Sequence, residues 1–509
     1  MRTNSLGRQI PYAGERPLYN GEFALVPDAR KAAPRIRSAV PGQHKVVHGI
    51  EEAVKAAGVR SGMTLSFHHH LREGDLVLNQ VVDACARLGI TDLTIAATSI
   101  FGVHAPLCEH IRQGVVTGIE ANYITGPVGD AISGALLARP AVLRTHGGRV
   151  RAIEAGDLHI DVAFMAAPSA DAAGNMNGIH GPSACGSLGY AVADANYADC
   201  VVAVTDNLVP YPLCAVTIPQ SLVDIVAVVD KIGDPQGIVA GSIRVTRHPM
   251  GLLLAQNVAR VVEALDMLKP GLSLQTGAGG ASLASASFLA RRMKQENIQG
   301  SFGLGGISSF FVSMLEEGLF TTLFDTQDFD AEAIRSLGQN PLHQETDCGT
   351  YANPHNSGAI VNYLDVVVLG ATEIDTAMNV NVTTASDGRI IGGSGGHSDA
   401  AAGAKLTIVV TTSTRARLPV VRPEVTTVST PGESIDVVVT ERGIAPNPRR
   451  PGLMHKLEAA GLPAKHIEQI CREVLDACGR PESLRKTDKV VALNEYRDGS
   501  VIDVVRQVN

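Results

Sequence analysis

Two related α/β domains with mostly parallel sheets, derived from an internal duplication, are the fold the sequence predicts, on three observations. The chain repeats itself: Ile160 to Gly178 reads IDVAFMAAPSADAAGNMNG, and 204 positions later Leu364 to Val382 reads LDVVVLGATEIDTAMNVNV. Each half opens on the order strand, loop, helix, strand. From Leu364 to Val410 two β-branched runs bracket a loop that carries Gly392, Gly393, Gly395 and Gly396.

Length and composition allow this architecture and exclude several others. The 509 residues suffice for two to four domains, with 45% hydrophobic and 18% charged residues, 52 glycines and no tryptophan, which is ordinary for an α/β protein. A formal net charge of −8 without a long basic run gives nucleic acid no electrostatic footprint. Eight scattered cysteines lack metal-ligand spacing and read as reduced, mostly buried thiols, with Cys471 and Cys478 on the inward face of one helix. Neither an apolar signal core at the N-terminus nor a run of 18 apolar residues is present, so a cytoplasmic chain with no membrane partner is expected.

Taken in order, residues 1–44 form an N-terminal arm, 45–235 the first domain and 236–509 the second, which ends in helices. The first domain leads with the strand Ser61 to Ser66, the polar loop Phe67-His68-His69-His70, the helical pattern DLVLNQVVDACARLG and the apolar run DLTIAAT. The junction falls near Lys231 to Gly237. The second domain leads with Pro270 to Gln275, the loop Thr276 to Ala281, the helical pattern SLASASFLARRMKQEN and Gln299 to Leu304. Strands alternating with helices of this length argue for parallel sheets covered on both faces. The repeat around Asp161 and Asp365 keeps seven of nineteen residues, including Asp171, Asn175 and Asn177 as Asp375, Asn379 and Asn381. Strands often share Val and Ala but seldom Asp and Asn at matched offsets. Met454 to Gly479 reads as one or two helices broken at Gly461-Leu-Pro463, a packing or oligomer surface, and a homo-oligomer is expected.

Ligands of such sheets bind beyond the carboxyl ends of the strands, where loops 67–72, 276–281, 300–306 and 392–399 project, and a duplicated protein can place its site between the copies. Glycines 392, 393, 395 and 396 let backbone N–H groups close on an anion or a thioester oxygen. His68, His69, His70 and Arg72 follow the leading strand and suit an anion, with a solvated or capping role as the alternative. Adjacent strand histidines point to opposite faces, which argues against a metal, and none is expected.

These residues resemble the coenzyme A transferases. The two-copy plan, the 160–178 strand, GGSGGHSDAAAGAK and the terminal DVVVTERGIAPNP are most similar to the citrate lyase alpha subunits, from about residue 45 to the end, and Pro11 to Gly14 of the arm fits as well. The resemblance implies a citrate:acyl-carrier-protein transferase: an acetyl thioester on the phosphoribosyl-dephospho-coenzyme A arm of a carrier protein meets citrate, acetate leaves, and a citryl thioester forms. It implies lyase (beta) and acyl-carrier (gamma) subunits as partners, acetyl-coenzyme A as a surrogate substrate, and no cofactor bound covalently to this chain. Covalent members of the family carry a nucleophilic Glu in a pattern like His-Thr-Glu-Met. Here Gln299-Gly300-Ser301-Phe302 stands in that place, with Ser301 at the Glu position. A serine cannot form the acyl anhydride, so a ternary complex is expected in which a citrate carboxylate attacks the acetyl carbonyl. The protein then aligns the reactants, worth about 7 to 11 kcal/mol, and stabilises charge.

On this reading Gly393, Ser394, Gly395 and Gly396 hold the thioester oxygen or the arm, while Gly303, Gly305 and Gly306 leave room for citrate or form a turn. His397 and Asp399 orient one another or the ligand; Asn379 and Asn381 bond the arm or the loop backbone. Arg144, His146 and Arg149 form a basic loop for an acidic carrier face, or a solvated one, and Glu345 and Glu373 are the carboxylates to test if the enzyme is covalent. Rival readings are a transferase or hydrolase for another acid such as citramalate, and a ligand-binding scaffold.

Overall fold

The computed structural model describes residues 2–25, 32–239 and 246–509. Each half rests on seven parallel strands in one spatial order. In the first half these are Ala141–Leu143, Val116–Ala121, Leu93–Ala97, Thr64–Phe67, Val162–Ala166, Cys200–Thr205 and Ile225–Val228. In the second they are His343–Glu345, Phe320–Asp328, Gly300–Ile307, Leu274–Thr276, Val366–Leu369, Leu406–Val410 and Val437–Thr440. Numbered along the chain, these seven strands run 4-3-2-1-5-6-7 in both sheets, and in the first Val46–His48 adds an eighth parallel strand beside Ile225–Val228. The repeat seen in the sequence is therefore a repeat of topology, and its switch point lies between the leading strand and the fifth.

The strands are buried on both faces, as parallel strands with helices on either side must be: Val201, Val202, Ala203 and Val204 are all fully inaccessible. Helix Val77–Arg87 covers the first sheet with Val77, Leu78, Val81, Val82 and Cys85, the spacing of one helical face. Helix Gly280–Gln295 covers the second with Leu283, Ala286, Leu289 and Met293. Among the described residues no helix is long and apolar enough to cross a membrane.

The conserved spacing of the repeat has a local cause. Asp171 Oδ1 accepts from the amides of Ala173, Gly174 and Asn175, closing the turn between the antiparallel strands Ser169–Asp171 and Met176–Asn177. Asp375 Oδ1 does the same for Ala377 and Asn379, between Glu373–Asp375 and Val380–Asn381. In both copies the Asp satisfies turn backbone, and the Asn that follows donates to that Asp and accepts from an amide of another segment, Gln220 or Gly432.

Strands up to Ile225–Val228 belong to the first sheet and those from Leu274–Thr276 to the second, except at the C-terminus. Helices Leu453–Ala459 and Ile467–Cys478 stay with the second half, the latter burying Ile467, Ile470, Cys471 and Val474 while Cys478, at its end, is half-buried. The chain then crosses back. Strand Lys486–Glu495 pairs parallel with Ala141–Leu143 and antiparallel with Val501–Val508, extending the first sheet. This covers an edge that would otherwise expose unpaired backbone groups. The N-terminal arm packs on the same hairpin: Ile10 and Ala13 share a core with Val501 and Val504, and Asn4 Nδ2 donates to the Ile502 carbonyl at 2.7 Å.

Candidate active site

A cleft of about 790 Å³ opens between the two halves at the carboxyl ends of the strands, lined by loops from both. From the first half the strand Thr64–Phe67 runs into the three histidines, which do not converge. His68 Nε2 lies 3.1 Å from Asp194 Oδ2, and the His68 and His70 rings stack on each other behind the wall, with centroids 5.7 Å apart. Only His69 and Arg72 line the cleft. Of the predicted anion-binding set, therefore, His68 and His70 are structural, because alternation along the chain turns them away.

His69 is held at both nitrogens, Nδ1 2.6 Å from Thr98 Oγ1 and Nε2 3.1 Å from Gln327 Oε1 of the second half. Burial, with His146 and Arg72 adding to it, pushes its pKa well below the usual histidine value. His146 stands at the start of helix His146–Ala155, whose N-cap Thr145 accepts from the Gly148 amide. Its ring stacks on His69 with centroids 6.0 Å apart and meets Tyr190 at a tilt with centroids 4.7 Å apart, and its Nε2 is 3.2 Å from the Tyr190 hydroxyl. Burial first, then Arg149 and Arg72, lowers the His146 pKa to about 3. Both imidazoles are neutral at pH 7.

The expected basic loop dissolves in the structure. Arg144 pairs with Glu120 and, at 3.0 Å, with Glu495, while Arg149 grips Asp194 at 2.7 Å; both guanidiniums are buried. No face for a carrier protein remains there, and His146 belongs to the cleft instead.

Arg72 is the unusual group. It takes φ of 52°, a left-handed conformation that L side chains rarely adopt, and lies over the Phe101 ring at 4.8 Å. Among the described residues no carboxylate pairs with it, and no Asp or Glu lines the cleft. Burial pulls its pKa down. Half-buried on the cleft wall, with Glu73 as a nearby but unbonded charge, the guanidinium is free to take a ligand of opposite charge.

The second half contributes the glycine loops. Gly393 and Ser394 are buried and Gly395 and Gly396 half-buried, all on the cleft wall. The loop threads against the first half: the Gly395 amide donates to the Asn122 carbonyl at 3.2 Å, and the His146 amide donates to the Gly395 carbonyl at 2.9 Å. A Cβ on Gly393 would sit 2.2 Å from the Asn122 oxygen, so this backbone approach itself requires glycine. Among the described residues the amides of Gly393, Ser394 and Gly396 have no internal acceptor. Loop Thr276 to Gly280 brings a second set of amides, at the N-terminus of helix Gly280–Gln295.

Several predicted site residues lie elsewhere or have other partners. Ser301 sits at the amino end of strand Gly300–Ile307, where its hydroxyl donates to the Gly271 carbonyl at 2.8 Å, away from the cleft. The cleft end of that strand is Gly305, at φ of 98°, and Gly306, so glycine and not serine occupies the position that lines the cleft. Gly303 is a packing residue under Phe311 and Leu323. Asn379 accepts from the Gly432 amide at 2.9 Å, and Asn381 bonds Glu373 and the Thr383 and Thr384 amides; neither lines the cleft.

His397 and Asp399 do not orient one another. His397 lines the cleft, but Nδ1 is 2.8 Å from Thr430 Oγ1 and Nε2 donates to the Gly370 carbonyl at 2.9 Å; burial lowers its pKa to about 4. Asp399, two residues further along the same helix, accepts from Thr145 Oγ1 at 2.8 Å and from the Gly147 amide at 2.9 Å. Glu345 accepts from the Leu188 amide and the Thr217 hydroxyl, and Glu373 from Thr426 and Arg422, so both fallback carboxylates are committed to structure.

Tyr190, Gln275, Gln327 and Tyr351 complete the walls, Gln275 Nε2 donating to the Tyr351 hydroxyl at 2.7 Å. Nothing local in the sequence marks them, because each gains its role from a partner in another segment.

Comparison with known proteins agrees with this geometry. The family model for the citrate lyase alpha subunit (CitF) matches residues 43–508. The citrate lyase alpha chain of Klebsiella pneumoniae is 49% identical over 466 residues, covering 92% of both chains, and that of Escherichia coli K12 is 47% identical over 464 residues, covering 91% of both. A solved citrate lyase alpha subunit from Streptococcus mutans, in complex with citrate, superposes with a TM-score of 0.96 at 47% identity, covering 99% of this chain and 100% of that one. The malonate decarboxylase alpha subunit of Acinetobacter baumannii, at 15% identity and a TM-score of 0.64 over 86% of this chain and 91% of its own, shares the fold. The chain belongs to the citrate lyase alpha subunit family.

Proposed function

We propose that the chain is the transferase component of a citrate lyase, exchanging acetyl for citryl on a carrier-protein thioester without a covalent enzyme intermediate. The observation that carries this reading is Arg72: a half-buried guanidinium on the cleft wall with no carboxylate bonded to it, in a cleft whose described lining has no Asp or Glu. Citrate, trivalent near neutral pH, supplies the missing charge.

In the reaction a citrate carboxylate oxygen attacks the acetyl thioester carbon, and the thiolate departs to leave an acetyl–citryl anhydride. The thiolate then attacks the citryl carbonyl and acetate leaves. No proton is exchanged with the protein, which agrees with a cleft whose His69, His146 and His397 are all neutral. The free amides of Gly393, Ser394 and Gly396 and those at the start of helix Gly280–Gln295 face the developing oxyanions. Gly305 and Gly306 hold the cleft end of their strand with no side chain of their own, packed against Gln275 and the Phe329 ring, so no nucleophilic carboxylate projects from this position. We further assign the phosphoribosyl-dephospho-coenzyme A arm as the physiological thioester, beta and gamma subunits as partners, and the cytoplasm as the location.

The test is to incubate the purified chain with acetyl-coenzyme A and citrate and look for products by mass spectrometry. Citryl-coenzyme A and acetate without oxaloacetate are expected. Acetate and free coenzyme A alone would make it a hydrolase, and hydroxylamine-sensitive labelling of a glutamate by acyl-coenzyme A would overturn the ternary complex.

A further inference from the structure

The C-terminal hairpin reaches the glycine loop through one side chain. Arg497, in the turn between Lys486–Glu495 and Val501–Val508, is 4% exposed; its Nε lies 3.4 Å from Asp399 Oδ1 and its terminal nitrogen donates to the Ala352 carbonyl at 3.0 Å. Asp399 is fully inaccessible and also takes Thr145 Oγ1 and the Gly147 amide, so one carboxylate gathers three segments. It sits on helix His397–Gly403, directly after the loop that makes the cleft wall. Thr145 in turn forms an isolated β-bridge with Gly395. The approach is tight: a Cβ on Gly147 would be 2.1 Å from the Ala352 oxygen, and one on Gly148 would be 3.2 Å from the Arg497 Cα.

We propose that Arg497 is a positioning residue that, through Asp399, fixes the Gly393–Gly396 loop against the first half. This rests on the assignment of that loop to thioester chemistry. The mechanism is electrostatic and geometric. Burial pushes the Asp399 carboxyl up, and Arg497 opposes the shift and keeps it an acceptor for Thr145 and Gly147. The other titratable groups facing it are Cys348 and Tyr351 of the neighbouring short helix, whose own pKa values burial raises. Neither carries charge near neutrality, which leaves Arg497 as the counter-ion.

The test compares wild type, Arg497→Gln, Arg497→Lys and Arg16→Gln in acetyl-coenzyme A and citrate turnover. Arg16 bonds Glu495 of the same hairpin at 2.8 Å without touching Asp399, and so reports on hairpin stability alone. Arg497→Gln should lower kcat about tenfold with little change in the citrate KM, and its activity should fail at higher pH on the acid side as Asp399 takes up a proton. Arg497→Lys should recover part of the loss. Hydrogen exchange of the 392–398 amides supplies a readout independent of turnover, and it should quicken in Arg497→Gln but not in Arg16→Gln. Unchanged exchange in Arg497→Gln, or equal losses in both variants, would overturn the proposal. An inactive wild type would count against the transfer reading while exchange still decides this one.

Discussion

His69 and Gln327 hold each other across the two halves: His69 Nε2 lies 3.1 Å from Gln327 Oε1, and Gln327 Nε2 donates back to the His69 carbonyl at 3.3 Å. Because the amide oxygen accepts, the imidazole proton is on Nε2, and Nδ1 accepts from Thr98 Oγ1. Gln327→Leu leaves a buried donor and a buried acceptor unpaired, at a cost of about 1 to 3 kcal/mol. A lower melting temperature and a raised citrate KM are expected, read by thermal denaturation and steady-state kinetics.

Function and stability oppose each other at Arg72. Arg72→Met should raise the citrate KM about 10- to 100-fold, the value of a charge-assisted hydrogen bond. The same change should leave the ligand-free protein as stable or more so, because a half-buried cation with no carboxylate bonded to it disappears. Calorimetry with and without citrate separates the two effects.

The glycines of the cleft differ in what they do. Gly393→Ala drives a methyl group to 2.2 Å from a backbone oxygen, whereas the nearest atom to a methyl on Gly277 is 3.5 Å away. Transfer should fall more than about 100-fold in Gly393→Ala, since displacing donors from the oxyanion costs that order. Gly277→Ala should keep most of its activity.

Three cleft histidines with lowered pKa values imply a flat rate profile. His146 at about 3 and His397 at about 4 stay neutral down to pH 5, and burial shifts His69 in the same direction, so none of these three should give kcat an inflection near 6.5. Measuring kcat at saturating citrate from pH 5.5 to 8 checks this.

Behind the cleft, Asp325 and Asp328 are both fully inaccessible, and burial pushes Asp325 up to about 8 and Asp328 upward as well. The folded protein therefore holds a proton that the unfolded chain releases at an ordinary carboxyl pKa. Stability from Asp325 is complete below about pH 4 and declines as pH rises to about 8, and Asp328 acts in the same direction. Asp325→Asn should flatten that decline, as urea denaturation between pH 5 and 9 would record.

The sequence by itself determined the duplication, the parallel sheets and the glycine loop, because strand and helix periodicity and the Asp–Asn turns are local and occur twice. It also put the 67–72 and 392–399 loops at the carboxyl ends of strands, where a duplicated fold can bring them together across a cleft between its halves. The tertiary structure alone decided the rest. Which of three adjacent histidines faces the cleft depends on how one strand ends, and whether Arg144, Arg149 and Arg72 are paired depends on carboxylates brought from segments such as Glu495 and Asp194. The return of residues 486–508 to the first sheet, and with it Arg497 beside Asp399, is a contact between distant parts of the chain. Such contacts are fixed by packing and charge balance in the folded molecule, and no local pattern records them.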